Sequence, residues 1–269
     1  MLRKLYYSLS PSGRRLARKL YYLPYDTFRT LFKKQDRLIP PKGKANVGRG
    51  DFKSFGDKFC KDIINTCKVT QNNKILDVGC GIGRIARPFA KFLSSDGYYC
   101  GFDILKSDIE WCKKQYADYK NFNFNSFPII NDLYLSQAQC EAKDFNFPFK
   151  EKSFDLVILI SVFTHMQAAA VKNYFYQISK VLKSGGKIYG SFFLTESDKS
   201  YSLFPYSHDK FCLHNTKVKN ANVAYDKEYI YNIAKSFELE VMSERMGWWN
   251  NGNIDGCFDF QDIVIFKKI

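Results

Sequence analysis

The sequence lacks the patterns that mark membrane-spanning, secreted disulfide-rich and zinc-binding proteins. None of its apolar runs approaches roughly 18 uncharged residues, and its first residues lack the apolar core of a secretory signal. Its eight cysteines are scattered, without a C-x-x-C pair and without histidines at zinc-ligand spacing. We therefore expect a reduced, cytoplasmic protein without a metal site, in which Cys80, Cys100 and Cys112 pack as small apolar side chains.

Acidic residues are scarce in the first 50 residues, which contain 13 Lys and Arg but only two Asp. Residues 1–50 therefore carry +11 of the formal net charge of +14, and residues 51–269 carry the remaining +3. A charge of +3 is ordinary for a soluble enzyme of this size. The basic character of the protein belongs to an N-terminal arm.

Within this arm, the segment "GRRLARKLYYL" at residues 13–23 has the spacing of an amphipathic helix. Its basic residues fall on one side, and the other side carries a stripe of leucines: Leu16, Leu20 and Leu23. Pro11 and Pro24 bracket the segment, so we predict that the helix ends there and that a second helix-like piece follows. Residues 1–50 are predicted to form a basic amphipathic helical arm.

Three roles are open for this arm. It could lie on an anionic membrane surface through residues 1–37, bind the phosphates of RNA, or pack its leucine stripe on the core or on a partner. We favour the inner face of the membrane, because Leu and Tyr opposite the basic side suit an interface better than a phosphate groove. In a eukaryotic source, an Arg-rich and acid-poor start would also fit a mitochondrial transit peptide.

From residue 51 onward, helix-like and strand-like segments alternate. The run "SFDLVILIS" is continuously apolar, which is typical of a strand in the middle of a parallel sheet. Two strand-like segments end the chain and predict a hairpin at one side of the sheet. We predict an α/β domain over residues 51–269, with an irregular insertion at about 128–147 and a cover segment at about 195–225.

The stretch "ILDVGCGIGR", residues 75–84, connects the first strand to the next helix. Its glycines alternate at positions Gly79, Gly81 and Gly83, and Asp77 precedes them. In open α/β sheets, ligands bind at such turns, at the carboxyl ends of the strands. The spacing differs from the dinucleotide fingerprint G-x-G-x-x-G, and an aspartate here would repel a diphosphate. The turn suits a ligand that carries an amino group.

This D-x-G-x-G-x-G pattern resembles the first motif of the class I S-adenosylmethionine-dependent methyltransferases. The stretches "AKDFNFPFKEKSFDLV" and "VLKSGGKIYGSFF" are similar to the family's approach to its fourth strand and to its fifth strand. The segments "SVFTHM" and "QDIVIF" look most like uncharacterised bacterial methyltransferases found near cell-surface glycan genes. The resemblance covers roughly residues 51–269. It implies a Rossmann-like, mostly parallel sheet of seven strands, with an antiparallel C-terminal strand, helices on both faces and S-adenosylmethionine as the cofactor.

The resemblance also assigns cofactor contacts. Asp77 would hold the methionine amino group, Asp103 the ribose hydroxyls and Asp144 the adenine amino group. The positions expected to contact the cofactor are Asp77, Gly79, Cys80, Gly81, Gly83, Asp103, Ile104, Asp144, Phe145 and Ser161. An NAD-dependent oxidoreductase is the alternative for the glycine turn.

Two signatures are missing after the fourth strand. The chain lacks Asn/Asp-Pro-Pro-Tyr, which marks methylation of amino groups, and Pro-Cys, which a cytosine-carbon methyltransferase needs for its covalent step. We therefore favour a hydroxyl acceptor on a small molecule, a sugar or a lipid-linked compound. An RNA methyltransferase and a cofactor-binding scaffold without catalysis are the alternatives.

Histidine is scarce as well, with three residues in the chain. His165 follows the fourth strand directly and is the candidate general base, because imidazole titrates near neutral pH; packing at the start of the next helix is the alternative. His208 and His214 lie in the cover segment, where a surface histidine is the default. His208, Trp248 and Trp249 are candidates for acceptor contact, although indoles also serve as core side chains.

Overall fold

Helices and strands alternate along the chain from residue 52. The structure, a computed structural model, describes residues 11–32, 36–45, 50–134, 138, 140–196 and 199–269. In chain order the elements are α1 (Pro11–Phe32), α2 (Phe52–Cys67), β1 (Lys74–Val78), α3 (Ala86–Phe92), β2 (Tyr98–Asp103), α4 (Lys106–Gln115), β3 (Phe122–Ser126), β4 (Ile129–Ile130), β5 (Cys140–Glu141), β6 (Phe154–Leu159), α5 (Ala168–Val181), β7 (Leu182–Phe192), β8 (Leu194–Thr195), β9 (Tyr206–Ser207), β10 (Phe211–Leu213), β11 (Val223–Asp226), α6 (Lys227–Ser236), β12 (Leu239–Arg245) and β13 (Asp262–Lys268).

The central sheet has seven strands in the order β3-β2-β1-β6-β7-β13-β12. Only β13 runs against its neighbours, because it pairs antiparallel with both β7 and β12. The aliphatic run at β6 lies in the middle of the sheet, between β1 and β7. The predicted mostly parallel sheet with an antiparallel C-terminal strand is confirmed.

Helices cover both faces of this sheet. Apolar side chains of α5 and α6 pack on one face, and those of α2, α3 and α4 pack on the other. Two of these helices begin at an aspartate cap: Asp51 accepts from the N–H of Ser54, and Asp226 accepts from the N–H of Tyr229. The buried positions of Cys80, Cys100 and Cys112 are confirmed.

The two segments predicted to be irregular contain short strands. In the insertion, β4 pairs in parallel with β5, and the cover segment forms a second sheet in the order β8-β11-β10-β9. Strands of two to four residues are too short to show a period in the sequence. Asp132 joins the two segments, because its carboxylate accepts from the N–H groups of Lys219 (2.8 Å) and Asn220 (3.1 Å).

One prediction for the N-terminal arm, that its first helix ends at Pro24, is wrong. The helix α1 continues through this proline to Phe32. Proline removes one helical N–H donor, and here the C-terminal half of the helix is held from outside. The carboxylate of Asp26 accepts from the N–H groups of Lys42 and Gly43, each at 2.8 Å. The parts of the arm at residues 1–10, 33–35 and 46–49 lie outside the described residues.

Among the residues that the structure describes, no helix combines the length and the apolar character needed to cross a bilayer.

A bidentate ion pair connects α2 to the far edge of the sheet. The guanidinium of Arg245 donates to both carboxylate oxygens of Asp62, at 2.7 and 2.5 Å, and the hydroxyl of Tyr189 donates to the same carboxylate at 2.7 Å. The side chain of Asp62 is only 15% exposed. These contacts hold α2, whose N-terminal end borders the functional site, against β7 and β12.

We predict that Arg245→Met lowers the free energy of unfolding by about 2 kcal/mol, because it leaves a mostly buried carboxylate without its cation. Urea denaturation measures this loss. The control is Lys106→Met, which removes a surface ion pair with Glu110 and is expected to cause no measurable change. Equal losses in both variants would contradict the role given to the Asp62 pair.

Candidate functional site

A cavity of about 670 Å³ opens at the carboxyl edge of the central sheet. Its floor comes from the ends of β1, β2 and β6 and from the residues just before β13, which starts at this edge because it is antiparallel. Residues of the insertion and of the cover segment form its roof. The volume is within the range of roughly 300–1,000 Å³ that small-molecule sites occupy.

The glycine turn lies at the centre of the floor. Gly79 has φ +71°, and a Cβ there would meet Val162 Cγ2 at 2.5 Å, so only glycine fits this position. Gly81 has φ +51° and nothing within 4 Å of a Cβ, which leaves its backbone open to the cavity. Gly83 does not line the cavity; it packs against Tyr116 instead.

Two carboxylates border the turn. Asp77 is 2% exposed and accepts from the hydroxyl of Tyr99, and no basic side chain within the described residues bonds to it. Burial, with a further contribution from the charge of Asp103, raises the pKa of Asp77 to about 7. Such a carboxylate favours a cationic ligand, since an ammonium group would offset its lost hydration.

Asp103 fastens the turn to the end of β2. Its carboxylate accepts from the N–H of Gly81 and from the N–H of Leu105, both at 2.9 Å. Burial raises the pKa of Asp103 to about 6. Each oxygen keeps a second lone pair, so the carboxylate can also accept from ligand hydroxyls. Asp77 and Asp103 therefore both lie where the sequence predicted them, together with Cys80, Ile104 and Ser161 on the cavity wall.

His165 lies on the roof side of the same cavity, in a single 3₁₀ turn after β6. Its Nδ1 is 3.0 Å from the carbonyl oxygen of Asn220, and since a carbonyl can only accept, Nδ1 carries the proton. Nε2 therefore holds a lone pair. Burial lowers the pKa of His165 below the ordinary value of about 6.5, which keeps the ring neutral at pH 7. The ring of Tyr134 packs edge-on against it, with 5.6 Å between centroids.

The structure corrects the adenine contacts expected from the sequence. Asp144 is exposed and does not line the cavity, because the turn that begins at Glu141 puts it on the solvent side. Phe145 packs among Phe102 and Phe127 instead. Both residues belong to the insertion at about 128–147, so their distance along the chain from the other motifs does not fix their place.

The residues proposed for acceptor contact also lie elsewhere. His208 is exposed and stacks on Phe211, with 4.7 Å between ring centroids. Trp249 is a core residue whose Nε1 donates to Asp262 at 2.8 Å. Trp248 packs on Phe260, 4.6 Å between centroids, and does not itself line the cavity.

His214, the third histidine, is likewise exposed, and its Nδ1 lies 2.7 Å from the carbonyl oxygen of Leu203. It does not line the cavity. Of the three histidines, only His165 therefore belongs to the site.

Among the lining residues that the sequence analysis did not name, four have polar groups that bear on the chemistry. Arg84 ends the quoted glycine stretch, and its guanidinium lies 3.6 Å from the centroid of the Phe55 ring. Burial lowers the pKa of Arg84 to about 10. Glu141 and Tyr134 belong to the insertion, where the sequence shows no period. Arg84 could have been noticed from its place in the motif, whereas the other two carry no signal.

Gln261 is the fourth of these residues. It reaches the site because it directly precedes β13, which enters the sheet at this edge. The hydroxyls of Ser161 and Ser191 lie 3.0 and 2.7 Å from its amide oxygen. The hydroxyl of Ser191 also accepts from the N–H of Ser161 at 2.7 Å, so its own proton is directed to Gln261. This arrangement commits the amide oxygen and leaves the amide nitrogen as a donor.

We predict that Gly79→Ala lowers the free energy of unfolding by about 3 kcal/mol, from positive φ and from the contact with Val162. Displaced Val162 would also narrow the cavity. The matched control is Gly252→Ala, which has φ +70° but nothing within 4 Å, and is expected to lose only about 1 kcal/mol. Urea denaturation of both variants checks the difference, and equal losses would refute the steric argument.

Comparison with known proteins is consistent with this site. Residues 76–190 match the family described as "Methyltransferase domain". A ubiquinone/menaquinone biosynthesis C-methyltransferase of Wigglesworthia glossinidia brevipalpis is 32% identical over 140 residues, 51% of this chain and 50% of that protein. A tRNA N(3)-cytidine methyltransferase of Xenopus tropicalis is 27% identical over 43% of this chain and 32% of its own length. The chain thus spans half or less of these two relatives.

Among solved structures, the PH0226 protein of Pyrococcus horikoshii OT3 has the same fold. Its TM-score is 0.55 at 16% identity, over 90% of this chain and 99% of that chain. The domain match begins within β1 and ends within β7, and it includes the glycine turn and both acidic positions that border it. Residues 76–190 therefore form a methyltransferase domain, and the relatives and the shared fold support the class I S-adenosylmethionine-dependent type.

Proposed function

We propose that the protein transfers the methyl group of S-adenosylmethionine to a hydroxyl of a small-molecule, sugar or lipid-linked acceptor, with His165 as the general base. The observation that carries this proposal is the imidazole of His165, whose Nδ1 is committed to the carbonyl of Asn220. In this tautomer Nε2 carries the lone pair that would accept the hydroxyl proton. Bound S-adenosylmethionine supplies the methyl group already activated on a sulfonium.

The cofactor end of the cavity fits this ligand. Asp77 lacks a cationic partner within the described residues and would bind the methionine amino group. Asp103 would accept from the ribose hydroxyls, while the open backbone at Gly81 leaves room for close approach. We propose Glu141 for the adenine amino group in place of Asp144, because Glu141 lines the cavity and Asp144 does not.

The acceptor end has the groups that alignment and proton removal require. Gln261 offers amide N–H donors to an acceptor oxygen, because its own oxygen is bound by Ser161 and Ser191. Tyr134 packs edge-on against His165, and the carbonyl of Asn220 in the cover segment accepts from it, so both residues border the acceptor end. Burial raises the pKa of Tyr134 to about 12, so this hydroxyl stays protonated and can donate but not act as a base.

RNA is the second candidate acceptor, since one relative methylates tRNA and residues 1–50 carry +11. Electrostatic binding to phosphates would need the cations on the outer side of the arm. The outer side of α1 carries leucines instead, which favours the non-nucleic-acid acceptors. Fractionating a cell extract after incubation with methyl-labelled cofactor separates the two, because label in RNA would support the second candidate.

For the cofactor site, we predict that Asp103→Ala raises the Kd for S-adenosylhomocysteine at least 100-fold in isothermal titration calorimetry. This loss combines two charge-assisted hydrogen bonds to the ribose with the bond from the N–H of Gly81 that fastens the glycine turn. Glu141→Gln should weaken binding about tenfold, and the control Asp144→Asn should leave it unchanged. If Asp144→Asn weakens cofactor binding and Glu141→Gln does not, Asp144 is the residue that contacts the adenine amino group, as the sequence predicted.

For the base, we predict that His165→Gln lowers methyl incorporation into extract of the source cells about 100-fold or more. Cofactor affinity should stay the same, and His208→Gln should keep wild-type activity. Wild-type activity should be flat above neutral pH and fall in acid, because protonation of His165, whose pKa lies below its ordinary value, removes the base. An unchanged rate in His165→Gln would eliminate this role.

A further inference from the structure

The helix α1 is oriented with its apolar side outward. Leu16, Leu20 and Leu23 are 59%, 62% and 57% exposed, and Tyr21, on the flank of this stripe, is 78% exposed. Arg15, by contrast, is half-buried on the inner side. An amphipathic helix that packs on its own domain normally buries its apolar stripe. Here that stripe, which we call the leucine face (Leu16, Leu20, Tyr21 and Leu23), faces away from the described protein.

Polar contacts on the inner side fix this orientation. Arg18 donates from Nε to the carbonyl of Lys42 at 3.2 Å, and its guanidinium lies 5.1 Å from the centroid of the Tyr22 ring. About two turns after Arg18, Asp26 accepts from two N–H groups of the segment after the helix. The backbone of that segment touches the helix directly, since a Cβ on Gly43 would be 3.0 Å from Cα of Lys19. Rotating the leucine face inward would break all of these contacts.

We propose that the leucine face docks on an anionic membrane surface. The helix itself carries five basic residues and one acidic residue, for a net charge of +4, within an arm of +11. By helical spacing, Lys19 and Arg14 border the leucine face on its two sides. An apolar stripe flanked by basic residues and long enough to lie in the interfacial plane is the pattern of helices that bind anionic bilayers.

Charge also argues against two other partners for the leucine face, namely a second copy of the chain and a nucleic acid. A second copy would bring two arms of +11 together, and their repulsion opposes a contact built from four apolar side chains. A stable dimer usually needs some 20–30 residues from each partner. In a complex with nucleic acid, the leucines between Lys19 and Arg14 would lie against charged phosphates instead of apolar groups. An anionic bilayer is the partner that matches both the apolar stripe and the net charge.

Docking would also bring the cavity close to the bilayer. Asp108 lines the cavity, and the charges of Arg15, Lys44 and Lys19 partly oppose the rise that burial causes in its pKa. The charges of the arm therefore act on a residue of the cavity lining. The docking surface goes beyond methyl transfer and does not depend on it, but it would deliver an acceptor dissolved in or attached to the membrane.

The test is flotation of the full chain with phosphatidylcholine vesicles and with vesicles containing about one-third phosphatidylglycerol. We expect the protein to float with the anionic vesicles and to be released by 0.5 M salt. The variant Leu16→Gln/Leu20→Gln/Leu23→Gln should bind at least tenfold more weakly. The matched control is Val241→Gln/Met242→Gln/Met246→Gln, which changes three exposed apolar residues elsewhere and should bind like wild type.

Three results would overturn the proposal. The leucine variant could float as well as the wild type, the matched control could lose as much vesicle binding as the leucine variant, or the wild type could fail to float. Light scattering adds a fourth such result. If the wild type is a dimer and the leucine variant is a monomer, the leucine face binds a second copy of the chain instead of a membrane. Unchanged melting temperature and S-adenosylhomocysteine affinity in the leucine variant separate lost docking from lost folding. Failure of cofactor binding in the wild type would affect the proposed methyl transfer and leave the docking result standing.

Discussion

The bond from the N–H of Gly81 to the carboxylate of Asp103 fastens the glycine turn to the end of β2, and the site depends on it. The N–H groups of Gly79 and Cys80 reinforce it by donating to the carbonyl of Phe102 at 2.8 and 3.0 Å. These contacts keep Asp77 and Asp103 in a poorly hydrated place. Their pKa values are raised to about 7 and about 6, because burial without a ligand destabilises the ionised form of each carboxylate.

A ligand with an ammonium group and adjacent hydroxyls would offset that cost. For Asp77 the sign is clear: because its pKa rises from 3.8 to about 7 on folding, its ionisation lowers the free energy of unfolding as pH rises between these two values, with no further loss above about 7. A bound cation would reverse this effect by stabilising the ionised form. The acceptor end works differently, since burial holds His165 neutral and a carbonyl orients it. The cavity thus combines an anionic cofactor end with a basic but uncharged acceptor end.

The parts that the sequence predicts correctly are local. The glycine turn, Asp77 and the β6 run each follow from a few adjacent residues, whose spacing and conformation decide their place. Asp144, expected at the adenine, lies in the insertion and does not line the cavity, because spacing from a motif does not fix a position within an irregular segment. Gln261 carries no signal, because only the antiparallel entry of β13 brings it to Ser161. For α1, amphipathic spacing shows that two faces exist, but it does not show which one faces the protein.

The most direct test of the account is the choice of nucleotide. We predict that S-adenosylhomocysteine, at roughly 100 times its Kd, stabilises the protein by about 2.7 kcal/mol. For a chain of this size that corresponds to a rise in melting temperature of about 5 to 10 °C. NAD at the same concentration should produce no rise, because its diphosphate would meet Asp77. Stabilisation by NAD and not by S-adenosylhomocysteine would contradict the assignment of the cavity.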